Sequence, residues 1–194
     1  MSLTGRFALV TGAAQGIGKE ILFRLASDGF HVALNDLEAK SELLASLIVD
    51  LNRKYPDLKF ISCIGDVSVE DDVRQVFENV ELTFGALDAM VANAAVCNVQ
   101  SFLDVSISEI EKTFSVNFFG VFFCYQYAAK LMIKTGRKGR IVGACSLAGK
   151  QAIPSLSIYS SSKFAMRGLT QAVAAELGQH GITCNAYAPG KLSL

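Results

Sequence analysis

The chain has 194 residues, of which 51% are hydrophobic and 19% charged, and its 18 Lys and Arg balance its 18 Asp and Glu. This composition is typical of a globular protein rather than a disordered one, and the length favours a single domain over residues 1–194. The balanced charge gives no electrostatic reason to expect nucleic acid or an anionic membrane as a partner.

Cysteine and histidine usage limits two further classes of protein. The five cysteines are scattered without a C-x-x-C pair, and we expect no targeting segment, so the sequence favours reduced thiols and a cytoplasmic location. Four of the cysteines lie within apolar runs or beside small residues, where burial is the simplest interpretation. Only His31 and His180 are present, without clustered carboxylates, so we expect no metal site.

Apolar runs alternate with longer amphipathic runs along the chain. Strands are predicted at residues 6–11, 31–35, 58–64, 86–93, 140–145 and 182–188. Helices are predicted at residues 17–29, in a long segment ending before Pro56, and at 69–84, 108–135 and 158–179. Six apolar strands separated by five helical stretches predict an α/β fold with a doubly wound parallel sheet, the Rossmann fold. Ligands of such sheets bind at the carboxyl ends of the strands, where the strand order reverses.

The fourth helical stretch contains a strongly apolar segment at residues 118–133. It is too short to span a membrane comfortably and carries Gln126 and Lys130. A buried core or interface helix is therefore favoured, and we expect no membrane partner.

The segment TGAAQGIG (residues 11–18) directly follows the first predicted strand and leads into a helix. Gly12 permits a tight turn, Gly16 lets a pyrophosphate approach the backbone, and Gly18 lets the helix pack closely on the strand. Gln15 and Ile17 complete this candidate cofactor loop. Its G-x-x-x-G-x-G spacing departs from the usual G-x-G-x-x-G fingerprint, and a plain tight turn is the alternative.

Two carboxylates follow the second and third strands. Asp36 can accept hydrogen bonds from both hydroxyls of an adenosine ribose, and it would repel a 2′-phosphate, so NAD is favoured over NADP. Asp36 can equally be the N-cap of the next helix. Asp66, with Val67 beside it, can accept a hydrogen bond from the adenine amino group or cap the helix that follows, and the sequence does not separate these alternatives.

Tyr159 and Lys163 lie four residues apart on a predicted helix and therefore share one face. A neighbouring ammonium and the positive ring of an oxidised nicotinamide would lower the pKa of a tyrosine, which could then exchange a proton with an alcohol or carbonyl. Ser146, at the end of the fifth strand, can orient the substrate oxygen. The alternatives are an ordinary solvated helix face for the pair and a turn cap for Ser146.

These motifs, in this order, resemble those of the short-chain dehydrogenase/reductase family, and the resemblance covers residues 5–190. It includes the glycine loop, the segment ANAA (92–95), Ser146 thirteen residues before Tyr159, the Tyr-x-x-x-Lys pair and APG (188–190). The resemblance implies hydride transfer between a nicotinamide cofactor and a secondary alcohol or ketone. Catalysis is assigned by the resemblance to Asn117, Ser146, Tyr159 and Lys163, and additional cofactor contacts to Asn93, Ala94, Tyr159, Lys163, Pro189 and Gly190.

The resemblance also assigns a relay role to Asn117, which would hold a water linking Lys163 to solvent. Two departures from the family pattern are visible. Ala92 and Ala95 replace an Asn and a Gly around Asn93, and Cys145 stands where a second serine is frequent. Neither departure removes a catalytic group.

Beyond Gly190 the family continues with a substrate-covering lid, a helix and a seventh edge strand, whereas this sequence offers KLSL. We therefore expect a six-stranded sheet with an uncovered edge at residues 182–188 and impaired turnover. A silent cofactor-binding or dimerisation protein is the alternative, as is an incomplete or spliced gene product. The long helix and the Tyr159 helix resemble the family's dimerising pair and imply a homodimer or tetramer. The glycine loop and VALND (32–36) faintly resemble dehydrogenases of small vicinal diols and hydroxyketones.

Overall fold

The structure, a computed structural model, describes residues 5–190, so the expectations about the KLSL tail fall outside the described residues. The strands are β1 (Arg6–Thr11), β2 (Phe30–Asp36), β3 (Phe60–Ile64), β4 (Ala89–Ala92), β5 (Arg140–Ala144) and β6 (Thr183–Tyr187). The α-helices are α1 (Gly16–Ser27), α2 (Ser41–Lys54), α3 (Glu70–Phe84), α4 (Ile107–Phe114), α5 (Val121–Lys134) and α6 (Ser157–Leu177).

All six strands are parallel and form one sheet with the order β3-β2-β1-β4-β5-β6. The predicted doubly wound α/β fold is therefore confirmed. The order reverses between β1 and β4, and the carboxyl ends of these two strands define the crevice in which such folds bind ligands. Within residues 5–190, β6 pairs only with β5, as predicted for an edge strand.

Apolar side chains on each face of the sheet form a separate core. On one face, β1 and β2 pack against α1 and α2 through residues such as Leu22 and Leu47. On the other face, Phe77, Tyr125 and Met166 bring α3, α5 and α6 onto the sheet. Both faces of every central strand are thus buried, which explains why the strands read as continuous apolar runs rather than as alternating ones.

The predicted helix at residues 108–135 contains an irregularity that the sequence does not reveal. The helix begins at a capping box, in which Ser106 accepts from the backbone N–H of Glu109 and the Glu109 carboxylate accepts from the backbone N–H of Ser106. One wide π-helical turn, Ser115–Gly120, then separates α4 from α5. Such turns concentrate at functional sites, and this one carries Asn117.

Among the described residues, Ile107–Lys134 is the one helical stretch long and apolar enough to cross a membrane by length and composition alone. Half of its most apolar window is buried within the protein. Core helices pass the same test, and Tyr125 and Met132 of this stretch belong to the core.

Candidate active site

The glycine loop has the backbone that its sequence predicts. Gly12 and Gly16 have φ values of 62° and 56°, a left-handed conformation that favours glycine. A Cβ on Gly18 would collide with the carbonyl oxygen of Gly12, so helix α1 packs on the loop only because residue 18 has no side chain. The Gln15 side chain makes no capping hydrogen bond at the start of α1. The first N–H groups of the helix can therefore bind an anion, as a pyrophosphate site requires.

Asp36 anchors this loop rather than capping a helix. Its Oδ2 accepts a hydrogen bond from Ala14 N at 3.0 Å, and its Oδ1 accepts one from Leu37 N at 2.9 Å. The N-cap of α2 is Lys40 instead. Each carboxylate oxygen retains a lone pair, so the ribose-binding role predicted for Asp36 is compatible with these two contacts.

Lys40 brings a positive charge to the same rim of the site, which sequence reasoning missed. Its Nζ donates a hydrogen bond to Gln15 Oε1 at 3.1 Å. Gln15 itself carries no charge, but the lysine bonded to it stands beside the loop that Asp36 also holds. The only available signal was a lysine four residues after Asp36.

Asp66 closes the turn between β3 and α3. Its Oδ1 accepts from Ser68 N at 2.9 Å and from Ser68 Oγ at 2.8 Å, while Asp66 N donates to Asp72 Oδ2 at 2.9 Å. Because the N-cap of α3 is Val69, Asp66 does not cap that helix. The position on a fixed turn at the carboxyl edge of the sheet suits the adenine contact that the sequence left open.

A groove of about 410 Å³ runs along the carboxyl ends of the strands. Nine of the predicted cofactor residues line it: Gly12, Gln15, Gly16, Ile17, Asp36, Asp66, Val67, Asn93 and Ala94. Sequence reasoning missed the other lining residues, which are Asn35, Leu37, Gly65, Ala95, Val96, Lys112 and Val116. Gly18 lies behind the loop and supports it, as predicted.

Asn93 joins three parts of this site. Its Nδ2 donates to the carbonyl oxygens of Thr11 at 2.9 Å and Gly12 at 3.1 Å, and its Oδ1 accepts from the Tyr187 hydroxyl at 2.6 Å. The Thr11 hydroxyl in turn accepts from the backbone N–H groups of Asn93 and Ala94. The departures at Ala92 and Ala95 therefore leave the Asn93 network intact. Thr11 and Tyr187 were not predicted, since nothing in their local sequence marks them.

Lys163 is a deeply buried cation, with 1% of its surface exposed. Its Nζ donates to the Ala144 carbonyl at 2.7 Å and lies 5.5 Å from the centroid of the Tyr159 ring, so the predicted pair meets in space. Burial lowers the pKa of Lys163 from 10.5 to about 8, because the charged form loses its hydration.

Tyr159 faces Ser146, and burial has an effect on its pKa that the sequence did not reveal. Burial raises the pKa of Tyr159, and the Ser146 hydroxyl opposes that rise. The predicted lowering, which requires Lys163 and an oxidised nicotinamide together, stays a prediction. Ser146 also caps the short turn Leu147–Gly149, where its Oγ accepts from Ala148 N at 3.1 Å, so its cap and site roles are compatible.

Asn117 is fully buried, and both the nitrogen and the oxygen of its side-chain amide form hydrogen bonds within the protein. Its Nδ2 donates to Val96 O at 2.8 Å and Ser162 Oγ at 3.1 Å, and its Oδ1 accepts from Val96 N at 2.9 Å. These bonds fix the segment after β4 against α6. A relay water at Asn117 would therefore have to donate to an acceptor, either the main-chain carbonyl or the remaining lone pair of Oδ1, because both amide hydrogens are used.

The predicted Pro189 and Gly190 lie beyond β6, outside the groove lining. The Pro189 carbonyl accepts from Leu147 N at 3.0 Å, which joins this segment to the turn that Ser146 caps. The predicted contacts thus divide into a nucleotide groove and an adjoining cluster of Ser146, Tyr159 and Lys163. The Asn93–Tyr187 hydrogen bond connects the two, because the Tyr187 carbonyl also accepts from Cys145 N at 2.8 Å, directly before Ser146.

This fold and site define a nucleotide-binding oxidoreductase with a Tyr–Lys–Ser cluster. Residues 6–193 match the protein family described as short chain dehydrogenase. A short-chain dehydrogenase/reductase of Armillaria gallica is 48% identical over 96% of this chain and 70% of its own length. L-2,3-butanediol dehydrogenase of Corynebacterium glutamicum is 40% identical over 95% of this chain and 71% of its own length.

Two solved structures have the same architecture. A Burkholderia cenocepacia short chain dehydrogenase in complex with NADP has a TM-score of 0.90 and 33% identity, covering 98% of this chain and 76% of its own. An NAD⁺-bound xylitol dehydrogenase has a TM-score of 0.92 and 29% identity, covering 98% and 72%. The chain belongs to the short-chain dehydrogenase/reductase family, whose members bind NAD or NADP.

Proposed function

We propose that this chain is an NAD(H)-dependent oxidoreductase that interconverts a secondary alcohol and a ketone. The observation that carries the proposal is the position of the half-buried Tyr159, the buried Lys163 and Ser146 beside a groove that opens on the N-terminus of α1. The groove supplies backbone N–H groups for a pyrophosphate, and the cluster supplies a proton donor and acceptor.

The residues present fit a dinucleotide. Backbone N–H groups at the start of α1 would hold its diphosphate. The loop can lie this close to the helix because Gly18 has no Cβ, which would collide with the loop. Asp36 would hold the adenosine ribose and Asp66 the adenine. When bound, the nicotinamide accepts or supplies the hydride.

The proton chemistry belongs to the chain's own residues. Ser146 orients the substrate oxygen; the Tyr159 hydroxyl gives that oxygen a proton in reduction, and the Tyr159 phenolate takes one from it in oxidation. Lys163 holds a positive charge beside the tyrosine ring, which stabilises the phenolate that remains. Because burial of Tyr159 raises its pKa, the positive charges of Lys163 and of an oxidised nicotinamide would have to offset that rise before the phenolate could form readily.

Asp36 favours NAD over NADP, because a carboxylate at the ribose repels a 2′-phosphate. Lys40 at the same rim offsets part of this repulsion. The Lys40 side chain lies at the protein surface, where an ion contact contributes only about 0–1 kcal/mol. We therefore propose a preference for NAD rather than exclusion of NADP.

A small alcohol or ketone is the proposed substrate class. The similarity to L-2,3-butanediol dehydrogenase supports vicinal diols and hydroxyketones as the first compounds to test. We also propose that the chain forms a homo-oligomer through α5 and α6. Phe119, Phe122 and Phe164 expose between 38% and 50% of their surfaces on these helices and the π turn between α4 and α5.

The test is a titration with NADH and NADPH, followed by steady-state turnover with acetoin, diacetyl and 2,3-butanediol. We expect tighter binding of NADH than of NADPH and measurable turnover of at least one compound. NADH binding without turnover of any compound would support a silent cofactor-binding protein instead. Absence of NADH binding would contradict both functions.

A further inference from the structure

Asn35 is a polar residue at the nucleotide groove that the proposed chemistry does not use. It is the penultimate residue of β2 and only 2% exposed, yet it lines the groove beside Asp36. Buried amides are kept in proteins when their hydrogen bonds are satisfied or when a ligand completes them. The contacts of Asn35 show what it holds.

The Asn35 side chain crosses from β2 to the turn that carries Asp66. Its Nδ2 donates to the Cys63 carbonyl at 2.9 Å and to the Gly65 carbonyl at 3.0 Å. Both amide hydrogens are therefore donated to carbonyl groups of the segment that leads into Asp66. The Asn35 carbonyl also accepts from Ala13 N at 3.0 Å, so the same residue fixes the glycine loop.

The Oδ1 atom of Asn35 differs from its amide nitrogen. It is buried and accepts no hydrogen bond from any residue in the range 5–190. An acceptor left in this condition destabilises the fold unless a donor from solvent reaches it. Because this oxygen is buried, a base in the groove does not reach it, and Asn35 acts on the groove through the two bonds that its Nδ2 makes to the segment before Asp66.

We infer that Asn35 is a positioning residue for base recognition, because it holds the turn that carries Asp66. This inference rests on the proposed use of NAD(H). Its consequence is selectivity for a 6-amino base over a 6-oxo base, because the Asp66 carboxylate is an acceptor and hypoxanthine presents a second acceptor in place of the amino group. The remaining support of the turn, from Asp72 and Ser68, holds Asp66 from the side of α3.

The experiment measures the affinities of NADH and of reduced nicotinamide hypoxanthine dinucleotide by their own fluorescence, which the absence of tryptophan leaves undisturbed. We expect the wild-type chain to prefer NADH by about tenfold or more, and Asn35→Thr to lower that ratio to within about threefold. Threonine suits a strand but is too short to reach both carbonyls. Asn35→Asp is the second variant, since it keeps the shape and the acceptor but loses both donated bonds.

Asn79→Leu is the matched control. Asn79 donates to the sulfur of Cys63 at 3.6 Å from α3 and does not line the groove, so this variant should keep the wild-type ratio. Circular dichroism and thermal unfolding check that each variant is folded. A folded Asn35→Thr with an unchanged ratio would overturn the inference, and unfolding of both Asn35 variants would do so too, by assigning the residue to stability alone. Failure of the wild-type chain to bind NADH would instead contradict the proposed function.

Discussion

The ammonium group of Lys163 is buried where almost no water reaches it, and this is the clearest electrostatic feature of the molecule. The folded chain binds the Lys163 proton less tightly than the unfolded chain, because burial lowers the pKa to about 8 from 10.5. Below pH 8 both states carry the charge, and folding includes the full penalty of burying it. Between pH 8 and 10.5 the folded state has lost a proton that the unfolded state keeps, so this group makes the free energy of unfolding rise with pH.

Lys163→Met should remove that contribution. The free energy of unfolding of the variant minus that of the wild type should be highest below pH 8. This difference should then fall by up to about 3 kcal/mol as the pH rises to 10.5, because the wild type gains stability over that range. Urea unfolding of both chains at several pH values measures it. Lys134→Met, at an exposed position of α5, is the control and should show no such trend. A difference that does not change between pH 7 and 10.5 would contradict the lowered pKa.

Tyr159→Phe tests the proton transfer directly. Removal of the hydroxyl should lower kcat by about 100-fold or more, because the variant loses the proposed proton donor and acceptor, while NADH affinity stays within about threefold. Tyr127→Phe is the matched control, since that hydroxyl touches only Glu70 at the surface. Stopped-flow or steady-state kinetics with the best substrate measures both. A variant that keeps wild-type kcat refutes the acid–base role.

Individual site residues could be predicted only where their chemistry requires a recognisable pattern in the local sequence. The glycine loop and the Tyr-x-x-x-Lys pair have such patterns, and the structure brings each together as expected. Asn35, Lys40 and Tyr187 have none, because their roles come from neighbours far along the chain. The effect of burial on the Tyr159 pKa was not predictable either, since it depends on how deeply the phenol is buried.

At the scale of elements, the joint between β1 and α1 is the part whose geometry is most tightly constrained. The absence of a side chain at Gly18 allows α1 to start against the carbonyl oxygen of Gly12. A displaced helix would move its free N–H groups away from the position of a diphosphate. The same displacement would loosen the hydrogen bonds from Asn93 to the loop.

Gly18→Ala should therefore destabilise the fold by about 1–3 kcal/mol and weaken NADH binding beyond detection. Gly178→Ala is the control, because Gly178 has a right-handed helical backbone and no atom within 4 Å of an added Cβ. That control should be neutral or stabilising by up to about 1 kcal/mol. Thermal unfolding and NADH titration of both variants provide the comparison. Normal NADH affinity in Gly18→Ala would contradict the claim that displacement of α1 disrupts the cofactor site.

Element types and order followed from sequence periodicity, but details of their ends did not. The π turn at Ser115–Gly120 is invisible in the apolar pattern, because it is stabilised by the contacts of Asn117 with Val96 and Ser162. Similarly, the sequence placed Ser146 at the end of β5, whereas the strand ends at Ala144 and Ser146 caps the next turn. Both differences arise from hydrogen bonds between elements rather than from local propensity.

At the scale of the whole molecule, the two faces of the sheet are not equivalent. Within residues 5–190, α1 and α2 on one face have no comparably exposed aromatic side chain, whereas the π turn, α5 and α6 on the other face expose large aromatic side chains. Phe119 is 50% exposed and Phe164 is 43% exposed. The two helices pack against each other, so their outer surfaces adjoin. Adjoining exposed aromatic residues are a common feature of surfaces that bind another protein.

The proposed homo-oligomer should therefore depend on this aromatic surface. We expect the wild-type chain to sediment at two or four times its chain mass, and the double variant Phe119→Asp, Phe164→Asp to sediment as a monomer, because each buried carboxylate would lack a partner at the interface. Leu82→Asp, at an 88% exposed position of α3, introduces the same charge outside the surface and should leave the mass unchanged. Analytical ultracentrifugation over a range of concentrations measures all three chains. A wild-type monomer at micromolar concentration, or an unchanged oligomer in the double variant, would contradict the assignment of this surface.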